Sequence, residues 1–270
     1  MRGLFTAGVT DVMMENGISF DGLIGVSAGA AFGCNYKSNQ PGRVLRYNSR
    51  FCKEPKFCSF RSLIKTGDLY GADFCYREIP YKLDIFDTEA FAQNPMEFHL
   101  VCTDVTTGKA VYRKCDVADD ACLDWFRASA SMPLVSKIVE IEGYKLLDGG
   151  IADSIPLRYF QSLGYQKNVV VLTQPKDYRK ERNKMLPLVK LKLKQYPAFI
   201  EAMADRHLRY NETLDYIEKQ EKTGNVFVIR PEAKLPVGHI EHDAEKLQAA
   251  YELGREATIN RLTELKRFFQ

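Results

Sequence analysis

Residues Gly25 to Gly29 read GVSAG, with the apolar pair Leu23-Ile24 before them and the small, apolar stretch Ala30-Ala31-Phe32-Gly33 after them. A short apolar run that ends in a turn of small residues and passes into an alanine-rich run has the pattern of strand, sharp turn and helix. Upstream, Phe5, Val9, Val12 and Met13 recur at helical spacing and Asn16-Gly17 supplies a stop, so a helix is expected over 3–16. The strand is expected at about 22–26 and the second helix over 28–36. That alternation constrains the chain to an α/β fold with a central, mostly parallel sheet.

The rest of the chain continues the pattern. EFHLVCTDV at 97–105 and KAVYR at 109–113 read as paired strands joined by Thr107-Gly108, and 120–129 reads as a helix carrying Trp125. Residues 138–141 and 144–147 read as a hairpin across Glu142-Gly143, whose second strand runs into Asp148-Gly149-Gly150. A helix over 156–163 and a buried strand NVVVL at 168–172 complete a core at 1–175. Residues 176–270 form a mainly helical C-terminal extension. It is charged and helical over 176–222 with breaks at Pro187 and Pro197, carries one strand, NVFVI at 225–229, that is free to join the main sheet, and ends in one long helix over 243–269.

Composition removes several classes of function. A formal charge of +3 on 270 residues, with acids and bases interspersed, gives no footprint for nucleic acid. The seven cysteines are odd in number and contain no C-x-x-C pair, which predicts reduced thiols and neither a disulfide framework nor a zinc site. No run approaches the roughly 20 apolar residues of a membrane span. Asp11 and Glu15 interrupt any signal-peptide pattern, so a cytoplasmic protein is expected. One segment, 43–65, sets seven basic residues against the single acid Glu54, with Tyr47, Phe51, Phe57 and Phe60 interleaved. It reads either as a solvated helix face over a core stripe or as a peripheral contact with an anionic inner-membrane face.

A serine on a strand-to-helix elbow projects its hydroxyl into a cleft, and the following helix points its N-terminus at the same place. Ser27 is therefore the candidate nucleophile, with Gly25, Ala28 and Gly29 shaping the elbow. If a histidine were its base, the candidates would be His207, His239 and His242, but only 26 residues precede Ser27, too few for the strands an α/β-hydrolase places before its elbow. All three are expected on the surface, and His99 inside its strand. Asp148, at a strand end before Gly149 and Gly150, is the better candidate base, because two glycines allow a turn and a close backbone approach. A DGG turn that merely closes a hairpin would look the same.

In order along the chain, GVSAG at 25–29, ASASMP at 128–133 and DGG at 148–150 resemble the patatin-like phospholipases. The resemblance implies a three-layer α/β/α core and lipid acyl-ester hydrolysis with no metal or cofactor. It also implies a dyad in which Asp148 serves as base for Ser27 and then for a deacylating water, through an acyl-enzyme. TQPKDYRK at 173–180 resembles the extended bacterial members. Family members carry a G-G-G-x-R-G loop whose N–H groups form the oxyanion hole. Met1-Arg2-Gly3 resembles the tail of that loop, leaving Arg2 and Gly3 as remnants and Gly3 as one donor. Asp153, where plant-type members carry asparagine, is expected to cap or shape a turn, and Ser129 and Ser131 to line the cleft. Two other readings compete: a catalytically weak lipid-binding module without a complete oxyanion hole, and a Ser-His acyltransferase resembling the malonyl-transfer enzymes. Nothing in the sequence reads a headgroup.

Overall fold

A computed structural model describes all of residues 1–270. The first half runs α1 (Gly3–Glu15), β1 (Gly22–Val26), α2 (Ala28–Lys37), α3 (Arg43–Phe51), α4 (Phe60–Thr66), a π-helical stretch Phe74–Leu83 and α5 (Thr88–Gln93). It continues through β2 (Glu97–Asp104), β3 (Ala110–Lys114), α6 (Asp120–Ser129), β4 (Val139–Ile141) and β5 (Tyr144–Asp148). After a 3-10 turn at Gly149–Ile151 come α7 (Leu157–Ser162), β6 (Asn168–Val171), α8 (Leu186–Lys192), α9 (Pro197–Lys222), β7 (Val226–Ile229), α10 (Ala244–Ile259) and α11 (Leu262–Phe268).

The α/β class holds, and β2 is its axis, buried from Phe98 to Asp104. Strand β1 runs parallel to β2 along one edge, from Gly22 opposite Glu97 to Val26 opposite Val101. The hairpin strand β3 lies antiparallel along the other edge, with Tyr112 opposite Val101 and Val111 opposite Cys102. Cys102 also pairs with Asp148, so antiparallel β5 takes the β1 edge where β1 stops. The ends of β1 and β5 therefore meet head to head at neighbouring residues of β2. Glu142 and Gly143, both at positive φ, make the tight turn between β4 and β5.

The C-terminal strand β7 pairs in parallel with β6, in a two-stranded sheet of its own and not in the sheet built on β2. The 176–270 region nevertheless shares its core with the N-terminus: Phe227, Leu247, Tyr251 and Leu265 belong to the same buried cluster as Leu4, Phe5 and Val9. Helices α1 and α10 cross at two glycines, where a Cβ on Gly8 would lie 2.1 Å from the Tyr251 carbonyl oxygen and one on Gly254 2.0 Å from that of Phe5.

Several local expectations need correction. The single helix expected over 243–269 is two, divided at Asn260-Arg261, with Asp243 as N-cap for the first. Pro187 and Pro197 do not break a helix but start α8 and α9, where a missing N–H costs nothing. In the basic, aromatic segment 43–65, Tyr47, Phe51 and Phe57 face the core. Arg43 is itself buried there, donating to Asn35 and the Asp84 carbonyl and paired with the Asp84 carboxylate at 3.3 Å. Within this segment only α4 turns large apolar side chains outward, with Phe60 74% and Ile64 86% exposed. All seven cysteines are free thiols and six are buried. No helix is long and apolar enough to cross a membrane.

Candidate active site

The head-to-head meeting of β1 and β5 brings Ser27 and Asp148 together across 121 residues of sequence: Ser27 Oγ donates to Asp148 Oδ2 at 2.6 Å. Ser27 sits at φ 56°, ψ −121°, a region that costs a non-glycine residue about 1–3 kcal/mol and persists only when its surroundings impose it. Those surroundings are identifiable. Its N–H donates to Ser129 Oγ at 3.0 Å, and Ser129 in turn donates to the Val101 carbonyl at 2.6 Å. A Cβ on Gly25 would lie 2.4 Å from the Gly29 carbonyl oxygen, so the backbone can double back only over a glycine. Gly29 differs, since a Cβ there would meet nothing within 4 Å.

Asp148 is held as firmly. Its N–H donates to the Ser131 carbonyl at 2.8 Å, its carbonyl accepts from Thr103 Oγ1 at 2.8 Å, and its Oδ1 accepts from the Gly150 N–H at 2.8 Å. Gly149 is required by contact: a Cβ there would lie 2.0 Å from the Val101 carbonyl oxygen. ASASMP therefore does more than line a wall, because Ser129 fixes the elbow and Ser131 fixes the strand end that carries the aspartate. Burial pushes the Asp148 carboxyl above its ordinary range; the Ser27 hydroxyl, the nearby Arg206 and the Gly150 N–H oppose that shift. A carboxylate so raised is a stronger base than a solvated one.

Helices α1 and α2 begin side by side. A Cβ on Gly3 would lie 2.8 Å from the Phe32 ring and 2.9 Å from the Ala28 methyl. The Ser27 carbonyl accepts from Ala30 and Ala31, and the N–H groups of Ala28, Gly29 and Gly3, at the heads of their helices, have no intrahelical acceptor. On the α2 side, a cavity of about 200 Å³ opens at Ser27 and Ala28 and runs past Ala31, Phe32, Tyr47 and Phe126 towards Phe86. Hydrophobic residues make up 16 of its 21 lining residues, so it suits an alkyl chain and not a polar ligand.

The other expected residues fall as follows. Asp153 accepts from Tyr112 Oη at 2.8 Å and from the Ile155 N–H at 3.3 Å, shaping the turn before α7. His99 is buried in β2 beside Glu97 Oε2 at 3.2 Å, and His242 lies against the Cys52 carbonyl. His239 is exposed, as expected, but it also stands at the cavity mouth, with Nε2 3.4 Å from Arg2 Nη2. Shelter of its ring and the Arg2 charge push its pKa down to about 4. Neither Ser27 nor Asp148 is bonded to a histidine.

One site residue escaped the sequence reading. Arg206, on the charged helix α9, lies against the DGG turn: a Cβ on Gly150 would be 3.0 Å from its Nη2, and its Nε reaches Ser154 Oγ at 3.4 Å. The only signal was its place on a helix read as solvated.

A serine on a strand-to-helix elbow over an apolar cavity, set in an α/β layer, is the arrangement of the α/β proteins built around a serine elbow. The chain belongs to the patatin-like phospholipase family, whose description "Patatin-like phospholipase" matches residues 1–160. A second description, "Domain of unknown function (DUF6363)", matches residues 196–270 and so includes Arg206. The chain is 28% identical over 280 residues to the "Uncharacterized protein YjjU" of Escherichia coli K12, covering 94% of this chain and 72% of that protein. It is 29% identical over 160 residues to the "Uncharacterized NTE family protein Rv1063c" of Mycobacterium tuberculosis H37Rv, covering 58% of this chain and 41% of that one.

Proposed function

We propose that the chain is a serine acyl hydrolase that cleaves fatty-acyl esters of (lyso)phospholipids or related lipids. The observation that carries this reading is the 2.6 Å hydrogen bond between a strained Ser27 and a buried Asp148 at the mouth of an apolar cavity. As Ser27 Oγ bonds to the ester carbon, its proton passes to Asp148 Oδ2. Negative charge then grows on the carbonyl oxygen, where the N–H groups of Ala28 and Gly29, with Gly3 opposite, act as donors; each such donor is worth about 10²–10³ in rate. The tetrahedral adduct collapses, its C–O bond to the alcohol breaks, and the alkoxide takes the proton from Asp148. Asp148 then removes a proton from water, which attacks the acyl carbon; this second adduct breaks its bond to Ser27 Oγ, which takes the proton back from Asp148 as the fatty acid is released. The acyl chain occupies the cavity, and its burial supplies about 0.8 kcal/mol per methylene.

A fluorescent fluorophosphonate tests the nucleophile. It is expected to label the purified protein on Ser27 alone, located by peptide mass spectrometry, and to label His239→Gln at a similar rate. Folded protein that does not label would favour the lipid-binding module, and a His239→Gln variant that lost labelling would restore the Ser-His reading.

Peripheral membrane contact is proposed for the face that carries α4 and α8. Exposed Phe60 and Ile64 stand on α4, beside Arg61 and Lys65; exposed Met185, Leu188 and Leu191 stand on and beside α8, in a run with Lys184, Lys190, Lys192 and Lys194 and no acid. Both helices contact the loop after Met132, which lines the cavity: Lys192 Nζ donates to the Leu134 carbonyl at 2.9 Å, and Lys137 packs on Gly67 at the end of α4. Apolar side chains within a cationic rim suit an anionic lipid surface. Phe60→Ser with Ile64→Ser is expected to weaken sedimentation with phosphatidylglycerol vesicles about tenfold or more. Unchanged or salt-insensitive binding would count against this face.

A further inference from the structure

Two cations stand close to one another beside the DGG turn, Arg206 directly and Lys180 through Tyr210, and neither has a carboxylate within salt-bridge distance. Arg206 has four N–H donors besides the Nε bond to Ser154, and its Nη2 lies over Gly150. Tyr210 stands one helical turn further along α9, and Lys180 Nζ lies 4.5 Å from the centre of its ring. Lys180 is clipped to α9 by a reciprocal pair of bonds with Asn211, its N–H donating to Oδ1 at 2.8 Å and its carbonyl accepting from Nδ2 at 3.0 Å. Outward-facing neighbours are paired, Arg158 with Glu212 and Arg179 with Asp215, whereas Arg206 and Lys180 have no carboxylate within 4.0 Å. Their proximity is felt: burial, then Arg206 and Arg2, push the Lys180 pKa down to about 8. Arg206 has the buried Asp148 carboxyl nearby but beyond salt-bridge distance, and Lys180 has only the Tyr210 ring, so two half-buried cations that repel one another are short of negative charge unless an anion is drawn between them.

The place of the pair decides what that anion belongs to. The apolar cavity lies on the α2 side of Ser27 and includes neither Arg206 nor Lys180 among its lining. With the acyl chain in the cavity and the carbonyl at Ser27, the alcohol part of an ester is left at the cavity mouth, where His239 feels the charges of both Lys180 and Arg206.

We infer that Arg206 and Lys180 form an anion subsite for a phosphate carried on the alcohol part of the ester, which makes phosphorylated acyl esters better substrates than neutral ones. Arg206 supplies the planar, bidentate half and Lys180 a point charge. The inference rests on Ser27 as nucleophile. It assigns substrate selection to two residues from outside the matched family stretch 1–160.

The test compares 1-lauroyl-glycerol 3-phosphate with 1-lauroyl-glycerol as substrates for the wild type, Arg206→Gln and Lys180→Gln, alongside calorimetric titration of each protein with glycerol 3-phosphate and with inorganic phosphate. The wild type is expected to favour the phosphorylated ester in kcat/KM. Each substitution is expected to cut that preference about tenfold or more, the scale of a lost charge-assisted hydrogen bond, and to weaken glycerol 3-phosphate binding in parallel. Lys180→Gln, at the rim of the cluster, carries the test if Arg206→Gln does not fold. Equal preference in wild type and variants overturns the subsite while leaving the hydrolase reading intact. Inorganic phosphate that binds as tightly as glycerol 3-phosphate, with no ester preference, overturns the substrate assignment. Glycerol 3-phosphate binding that depends on both residues, in a protein that hydrolyses neither ester, supports the subsite and counts against the nucleophile.

Discussion

Asp148→Asn is expected to lower ester turnover about 10⁴-fold or more, and Ser27→Ala at least as far, the scale seen when a member of a nucleophile–base pair is removed. An amide cannot take the Ser27 proton, although it preserves the shape that accepts from Gly150 and meets the hydroxyl. The effect on stability has the opposite sign. The Asp148 pKa is raised in the folded protein, chiefly by burial. The folded state therefore binds more protons than the unfolded chain between the ordinary value of 3.8 and the raised one. Stability then falls as pH rises through that window, and the cost is present in full above the folded pKa. Asp148→Asn removes a buried charge, so at pH 7 its thermal midpoint is expected to equal or exceed that of the wild type. Below the ordinary value of 3.8 the difference should vanish, and the acid limb of wild-type kcat should lie above the ordinary carboxylate range. A variant that is inactive and also markedly less stable at pH 7 would show that the carboxylate is structural, with its charge compensated in the fold.

The two glycines of GVSAG are expected to respond differently. A methyl at Gly25 would lie 2.4 Å from the Gly29 carbonyl oxygen and 2.6 Å from the Ala30 nitrogen, both backbone atoms at the head of α2, so the helix must move. Overpacking of this kind costs about 1–3 kcal/mol. A displacement of Ser27 by about 1 Å costs roughly 10² in rate. Gly25→Ala should therefore lose stability and activity together. Gly29→Ala places its methyl in open space and exchanges a glycine for a residue up to about 1 kcal/mol better in a helix. Its denaturation midpoint should hold or rise. Urea titration of both variants beside kcat/KM decides the matter, and equal damage from the two would refute close packing as the reason for the first glycine.

The sequence by itself determined the local elements around the site. Helical spacing, a run of small residues and turn chemistry are encoded within a few neighbours, and β1, α2, β2, α6 and the β4–β5 hairpin lie where those signals put them. Signals of the same kind misled where context outweighed them. Pro187 and Pro197 looked like helix breakers because proline position within a helix depends on where the helix begins. Arg43 looked solvated because its charge says nothing of the Asp84 and Asn35 groups that hold it in the core.

Only the tertiary structure decided what faces what. Ser27 meets Asp148 because two strands of opposite direction end on adjacent residues of β2, a matter of register over 121 residues that no local pattern carries. Arg206 reaches the DGG turn from a helix whose charged surface reads as solvent-facing, and Lys180 joins it through Asn211 and Tyr210. Local propensity is a sum over neighbours along the chain. The serine–aspartate pair and the cations near it are held by packing across the chain, where a shift of one residue in strand register would turn each side chain to the other face.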